Sequence, residues 1–148
     1  MKKTLLILAA LVFVVTACEK NTYVDGTYKV TYDAPHYGYT AFVEFTITGD
    51  VVSDADFDYW NDAGDLRKSE DTAYASNMFP VAGTSPDIYC PILEGQLEEA
   101  VIVPEFEEIN GVTGATGSTA AANHLFGVGL EAALAGEPSE QLVTEPAE

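Results

Sequence analysis

Apolar and polar residues alternate in three stretches of the first half of the chain, residues 27–32, 41–48 and 51–60. A period of two is typical of a strand with one buried face, so each stretch predicts a β-strand. Gly49 and Asp50 separate the second stretch from the third and predict an antiparallel hairpin. In the third stretch the alternation puts its aspartates on the solvent face: Asp54, Asp56 and Asp58.

The pattern changes to helical segments after residue 64. Residues 70–78 predict a helix with Ser69 as its N-cap, and Pro80 and Gly83 end it. Residues 91–99 predict a second helix; residues 85–87 can start it early, with Pro91 as a kink or restart. Residues 101–103 predict a short strand that Pro104 stops.

The last helix is predicted over residues 119–135, where alanine and leucine dominate. Residues 136–148 are acidic, contain two prolines, and predict a disordered tail. The elements together predict one α+β domain over residues 23–135, with a small, mostly antiparallel sheet packed with helices.

The N-terminus predicts export. Lys2 and Lys3 precede an apolar run over residues 5–15, which is typical of a signal peptide and short for a membrane span. Residues 15–18 resemble a bacterial lipobox, which implies cleavage after residue 17, lipid on Cys18 and a short spacer over residues 18–22. The protein is then expected to be anchored in a cell membrane or outer membrane, facing the periplasm or exterior. An ordinary cleaved signal is the alternative.

Charge and cysteine content narrow the function classes. Beyond Cys18 the chain has four lysines and arginines against 24 aspartates and glutamates, a net charge of about −20. Such a chain lacks the basic patch that neutralises phosphates, so a nucleic-acid partner is not expected. With Cys18 lipidated, Cys90 has no intrachain disulfide partner, and its apolar neighbours predict a buried thiol without chemistry.

Residues 111–119, Gly-Val-Thr-Gly-Ala-Thr-Gly-Ser-Thr, stand just before the last predicted helix. Small residues let a backbone approach a ligand closely, and a helix N-terminus presents unpaired N–H groups that suit a phosphate. The alternative is a structural turn capped by Ser118 or Thr119. The loop lacks the lysine of a nucleotide-triphosphate loop and the Gly-x-Gly-x-x-Gly spacing.

Other site chemistry has little support. The aspartates of residues 54–65 imitate a calcium loop, but Tyr59 stands where that loop needs glycine. His36 and His124 have no further ligand at zinc spacing, so no metal site is predicted. No nucleophile elbow is present.

The order of the signal, strands, helices and Gly-rich loop resembles that of the FMN-binding domain family. This family includes membrane-anchored lipoproteins and the flavin subunits of sodium-pumping quinone reductases and related ferredoxin-linked complexes. The likeness covers roughly residues 23–134 and centres on residues 113–116, which match the family's Ser/Thr-Gly-Ala-Thr attachment motif. Residues 25–28, 59–62 and 68–71 are similar to the lipoprotein branch.

The resemblance implies FMN joined through its phosphate to the Thr116 hydroxyl, placed there by a flavin transferase that uses FAD and a divalent cation and releases AMP. The protein would then carry electrons, with an unknown redox partner, instead of acting as a stand-alone enzyme. The remaining cofactor-binding residues are those of the loop: Thr113, Gly114, Ala115, Gly117 and Ser118. The family motif commonly begins with aspartate where this chain has Asn110, which leaves slow modification or non-covalent FMN open.

Two side-chain roles and one function class remain as alternatives. Arg67 or Lys68 could meet the charge of the phosphate, or both could form a solvated pair. The tyrosines and Trp60 could stack on the isoalloxazine or pack in the core. A non-redox surface lipoprotein that binds a ligand or adheres is the alternative function.

Overall fold

A computed structural model of the protein describes residues 22–102 and 105–147. The predicted signal peptide, the lipidation at Cys18 and most of the spacer lie outside these residues. Val103 and Pro104, which belong to the predicted short strand and its stop, also lie outside them.

One four-stranded sheet and three helices form the domain, which confirms the predicted α+β class. The sheet has the order β3-β2-β1-β6, and a two-stranded ladder joins β4 to β5. A 3-10 turn over Lys68–Glu70 precedes the first helix. The strands are β1 (Gly26–Tyr32), β2 (Tyr39–Thr48), β3 (Val51–Asn61), β4 (Val101–Ile102), β5 (Glu105–Phe106) and β6 (Gln141–Val143), and the helices are α1 (Thr72–Ala82), α2 (Pro86–Glu99) and α3 (Thr116–Ala135).

The predicted hairpin is confirmed, since β2 and β3 pair antiparallel with Thr48 opposite Val51. Its register shifts between Glu44 and Thr46, so Asp54 and Ala55 both lie opposite a single residue of β2. Asp54 has a positive φ of 54° at this irregularity. The bulge interrupts the alternation that the sequence predicts for the whole strand.

The prediction of a disordered tail is wrong for Gln141–Val143. These residues form β6, which pairs parallel with β1 through Val30, Thr31 and Tyr32. The outer edge of β1 offers unpaired backbone groups, and a short segment that satisfies them also covers an edge open to other chains.

Two helices begin at other residues than predicted: α1 begins at Thr72 instead of residue 70, and α3 begins at Thr116 instead of residue 119. The second helix begins at Pro86, which is the early start that residues 85–87 allow. Asp71, not Ser69, is the N-cap of α1, and its carboxylate accepts a hydrogen bond from the Tyr74 amide at 2.9 Å. Pro80 and Pro91 both lie inside helices. A proline removes one amide donor, but the carbonyls left without it belong to exposed residues, Ser76 and Asp87, where water can replace the bond.

The third helix covers one face of the sheet. The ring centroids of Phe126 on α3 and Phe45 on β2 are 4.6 Å apart. A Cβ at Gly129 would lie 2.6 Å from the Phe45 ring, so the glycine lets the helix approach the sheet. The second helix runs along the free edge of β3, where Glu94 and Glu98 accept hydrogen bonds from backbone amides of that strand. These contacts hold the N-terminus of α3 above one end of the sheet.

Candidate functional site

The glycines of the loop before α3 have packing roles. Gly114 has a φ of +87°, and a Cβ there would overlap the carbonyl oxygen of Ala82 at the end of α1. Gly111 has a φ of +76°, and a Cβ there would overlap the Thr119 side chain. Only glycine combines this backbone conformation with such close approach, so these two residues set the course of the loop toward α3.

Thr116 is the first residue of α3, and it is exposed. The N-cap is Ala115, which is buried and makes no side-chain capping bond. The capping role considered for Ser118 or Thr119 is therefore wrong: both lie inside the helix, and the Thr119 hydroxyl donates to the Ala115 carbonyl at 2.9 Å. The first amides of this 20-residue helix consequently remain open to a ligand.

A groove of about 510 Å³ runs past Thr116 on one side of the helix start. Thr113 and Gly114 contribute to its wall, as does Asn110, the residue that departs from the family motif. The exposed Thr116 hydroxyl is thus accessible from outside the domain.

A cavity of about 250 Å³ lies on the other side of the helix start, between α3 and the end of the sheet. Its helix wall is Gly117, Ser118 and Ala121, so it begins at the residue after Thr116. The remaining lining is mostly aromatic and comes from distant parts of the chain: Tyr32, His36, Tyr37, Tyr39, Ala41, Tyr59, Lys68 and Glu145.

Lys68 supplies the cation of this cavity. Its ammonium lies 4.4 Å from the ring centroid of Tyr59, 4.5 Å from that of Tyr74 and 5.1 Å from that of Tyr39. Within the described residues the ion pairs involve Lys29, His36 and Arg67, and none involves Lys68. An ammonium held by aromatic faces and without a carboxylate partner is available to an anionic ligand.

The tyrosines around this lysine are neutral hydrogen-bonding groups. Tyr39 donates to the Asp71 carboxylate at 2.6 Å, and this bond, with burial, raises the Tyr39 pKa to about 12. Burial, with a smaller contribution from Glu145, raises the Tyr32 pKa to about 12. Tyr59 donates to the Ser118 hydroxyl at 2.9 Å, and burial raises its pKa strongly. Tyr32, Tyr39 and Tyr59 therefore present neutral rings and hydroxyls to the cavity near pH 7.

The C-terminal segment closes one side of the cavity. Glu145 pairs with His36 at 3.1 Å, and the Thr144 hydroxyl donates to Asp33 at 2.6 Å. The sequence did not predict this contribution, because residues 136–148 have the composition of a disordered tail. The pairing of β6 with β1 brings the residues that follow β6 to the cavity.

Arg67 does not share the environment of Lys68. It pairs with Asp56 and, at 3.4 Å, with Asp58, and its guanidinium lies over the rings of Phe42 and Trp60. Trp60 packs on Phe42 and does not line the cavity. Of the two basic residues considered for a phosphate, Lys68 lies at the site and Arg67 is held by carboxylates.

Asp58 corrects the prediction that the three aspartates of β3 share a solvent face. This residue is 2% exposed, because the segment from Arg67 to Ser69 crosses the end of the strand. The carboxylate accepts hydrogen bonds from the Ser69 hydroxyl and amide. The Cys90 thiol, which is buried as the sequence predicts, lies 4.0 Å away, and burial raises its pKa.

This burial leads to a test of stability. Replacing Asp58 with asparagine should lower the free energy of unfolding by about 1–3 kcal/mol, because Arg67 loses a buried carboxylate partner. Asp54→Asn is the matched control in the same strand; Asp54 is exposed, so we expect a change within about 0.5 kcal/mol. Urea unfolding of both variants measures the difference, and equal losses would contradict the assigned role.

The predicted site residues thus fall on two sides of one helix start. Thr113, Gly114 and Thr116 border the groove, Gly117 and Ser118 border the cavity, and Ala115 is buried between them. Sequence reasoning did not single out His36 or Glu145 as lining residues; four tyrosines between residues 32 and 59 were the available signal for an aromatic site.

Comparison with known proteins identifies a shared fold. No protein-family model matches the chain, and no curated protein matches it. A crystal structure of the protein CPE2226 from Clostridium perfringens is similar, with a TM-score of 0.74 and 27% sequence identity, over 84% of this chain and 100% of that chain. The similarity therefore extends over the whole chain of that crystal structure and includes most of the domain described above.

Two features are absent from the described residues. None of their helices combines the length and apolar character that crossing a membrane requires. Within the same residues, histidine, cysteine, aspartate and glutamate do not gather into a group of three that could hold a metal ion.

Proposed function

We propose that the protein is a lipid-anchored extracytoplasmic flavoprotein that carries FMN on Thr116 and transfers electrons. The observation that carries this proposal is the position of Thr116, an exposed hydroxyl at the first residue of α3, one residue before an aromatic cavity that contains the ammonium of Lys68. A phosphate on this hydroxyl would stand at the helix N-terminus, where open amides and the helix dipole favour negative charge.

The residues present fit such a group. A flavin needs a flat apolar surface for its ring system and hydrogen-bonding groups at the ring edge, and the cavity offers tyrosine rings and hydroxyls. Its volume of about 250 Å³ is slightly below the usual range for whole small ligands, which suits a ring system whose phosphate lies outside. A Cβ at Gly117 would meet nothing within 4 Å, so the entrance beside Thr116 is open.

Each group has a distinct task in this proposal. Thr116 would hold the phosphate, and the amides of Gly117 and Ser118 would face its charge. The rings of Tyr39 and Tyr59 would bound the isoalloxazine, and Lys68 would place a positive charge near it. The flavin supplies the redox chemistry when it is bound, while the protein supplies position and electrostatics.

The charge of the chain favours a covalent link. Free FMN carries about two negative charges on its phosphate, and a mature chain near −20 repels it at low ionic strength. A phosphodiester removes one of those charges and makes retention independent of an equilibrium constant. In its formation the Thr116 oxygen would attack the FMN phosphorus of FAD, the bond from this phosphorus to the AMP phosphate oxygen would break, AMP would leave, and the hydroxyl proton would be released to water.

The direct test is the mass and colour of the denatured protein. The full-length chain, co-expressed with a flavin transferase and purified, should retain flavin absorbance after denaturation and gel filtration, and its intact mass should rise by one FMN less one water. Flavin that separates on denaturation would replace the covalent proposal with a non-covalent one. A protein that never carries flavin would overturn the redox proposal and favour the non-redox surface lipoprotein.

A further inference from the structure

We propose that α1 is a docking surface for a soluble basic protein that has an apolar contact patch, and that this protein exchanges electrons at the adjoining site. The docking surface stands on the geometry of α1 alone; only the electron exchange rests on the proposed function.

The first helix has no buried residue over its whole length, Thr72–Ala82. Val81 is 89% exposed and Phe79 is 51% exposed, on a helix that also contains Met78 and three alanines. Its two ends are stabilised locally, by the Asp71 cap and by Gly83 at the C-cap. Met78 packs against the core, but no residue of the helix is buried, so the rest of its apolar surface is open to a partner.

The same segment lacks charge in a highly acidic chain. No charged residue occurs from Thr72 to Pro86, although the whole sequence has 24 aspartates and glutamates. An apolar groove of about 460 Å³ lies along the helix, lined by Tyr74, Asn77, Met78, Val81 and Ala82. Exposed acids stand at both ends of the segment, Glu70 before it and Asp87 after it. An uncharged apolar segment with an acid before it and another after it, in a chain with a net charge of about −20, is complementary to a partner that has basic residues around an apolar patch.

The helix touches the candidate site at two places. The carbonyl of Ala82 packs against Gly114, two residues from Thr116. The Tyr74 ring lies 4.5 Å from the Lys68 ammonium and 5.7 Å from the Tyr39 ring, both of which line the cavity. A protein seated on α1 would therefore lie beside the proposed flavin.

The site and α1 lie away from the start of the described chain. The Val24 amide donates to the carbonyl of Ala133, near the C-terminal end of α3, whereas Gly114 and α1 adjoin the N-terminal end. The rise of an α-helix separates Thr116 from Ala133 by about 25 Å. The four Cα-to-Cα steps from Cys18 to Thr22 reach at most about 14 Å, so the proposed anchor would hold the opposite end of the domain at the membrane.

These facts favour a basic protein over other occupants. A second copy of the chain would bring two net charges of about −20 together, which opposes association. A membrane would have to reach the end of the domain that is remote from the anchor. A soluble protein with lysines or arginines around an apolar patch meets neither obstacle.

The test compares two lysine substitutions on exposed valines. Val81→Lys places a positive charge in the proposed contact, and Val51→Lys makes the same change at a residue 65% exposed on the β2–β3 turn, next to the Asp50 that bonds Tyr23. The probe is a basic c-type cytochrome, whose lysines surround an apolar haem edge. Calorimetry measures the Kd of the cytochrome for the full-length protein in detergent, at low and at moderate ionic strength.

We expect Val81→Lys to weaken binding at least about tenfold, and Val51→Lys to change it less than about twofold, because only the first opposes the basic rim. Val81→Ser, which removes the apolar contact without adding charge, should weaken binding about threefold or more relative to Val51→Ser. Equal effects at the two positions would overturn the proposal, since they would report net charge alone. Two other results would also overturn the proposal: concentration-dependent dimerisation that Val81→Lys abolishes, or binding to neutral phosphatidylcholine vesicles that Val81→Lys abolishes. They would identify a second copy of the chain or a membrane as the occupant of α1.

The two proposals fail separately. Calorimetry requires no flavin, so it can be repeated on Thr116→Val protein, where docking should persist. Docking without any FMN mass would refute the proposed function and leave the surface standing. Conversely, suppose that the protein carries the FMN mass and reduces the cytochrome at the same rate with and without Val81→Lys. That result would refute the docking surface and leave the proposed function standing.

Discussion

Thr116→Val should abolish the covalent attachment of FMN. Valine has nearly the shape of threonine but lacks the oxygen that attacks the phosphorus of FAD. Because Thr116 is exposed and its hydroxyl makes no hydrogen bond to a described residue, the fold should not change. Intact mass of the variant co-expressed with a flavin transferase should show the unmodified chain alone, whereas the wild-type sample should show the proposed FMN adduct.

Thr116→Ser is the matched control, because it keeps the hydroxyl at the same position of α3. It should retain the adduct, although at a lower rate. Asn110→Asp restores the acidic residue common at the start of the motif, in the wall of the groove beside Thr116. It should raise the modified fraction if the transferase reads a carboxylate there. An undiminished adduct on Thr116→Val would show that another residue is the acceptor.

Gly114→Ala should lower the free energy of unfolding by about 2–4 kcal/mol. Two costs add: a φ of +87° is strained for alanine, and its Cβ would overlap the backbone carbonyl of Ala82. Because the obstructing atom is backbone, the end of α1 or the start of α3 must move. Urea unfolding followed by circular dichroism measures the loss.

Gly95→Ala is the control for this substitution. Gly95 lies in α2, and a Cβ there would meet nothing within 4 Å. Alanine in place of an exposed helical glycine should raise the free energy of unfolding by about 0.5–1 kcal/mol. A Gly114→Ala loss below about 0.5 kcal/mol would show that the loop adapts easily, and the packing role of this glycine would be wrong.

The sheet and its hairpin could be predicted from sequence because alternation reports directly which face of a strand is buried. Val43, Phe45 and Ile47 follow the period of two, and all three are buried. The order of the other elements also follows from local signals, but β5 and β6 were not predicted. β6 has only three residues and no periodicity of its own, so its pairing with β1 depends on the edge that β1 leaves open.

Helix ends were less predictable because several residues compete for each cap. Ser69 and Asp71 are both good N-cap types, and the local sequence favours neither. The buried carboxylate of Asp58 decides between them, since it binds the Ser69 hydroxyl and leaves Asp71 to cap α1. The same tertiary contact makes Asp58 an interior residue, although the alternation of β3 predicts an exposed one.

The candidate site divides in the same way. By itself the sequence determined the Gly-rich loop, the threonine at its end and the helix that follows, because glycine, hydroxyl and alanine preferences act over a few neighbouring residues. The aromatic cavity, the selection of Lys68 over Arg67, and the contribution of Glu145 were decided only by the tertiary structure. Those residues lie far apart in the sequence, and only the packing of α3 on the sheet and the pairing of β6 with β1 bring them together.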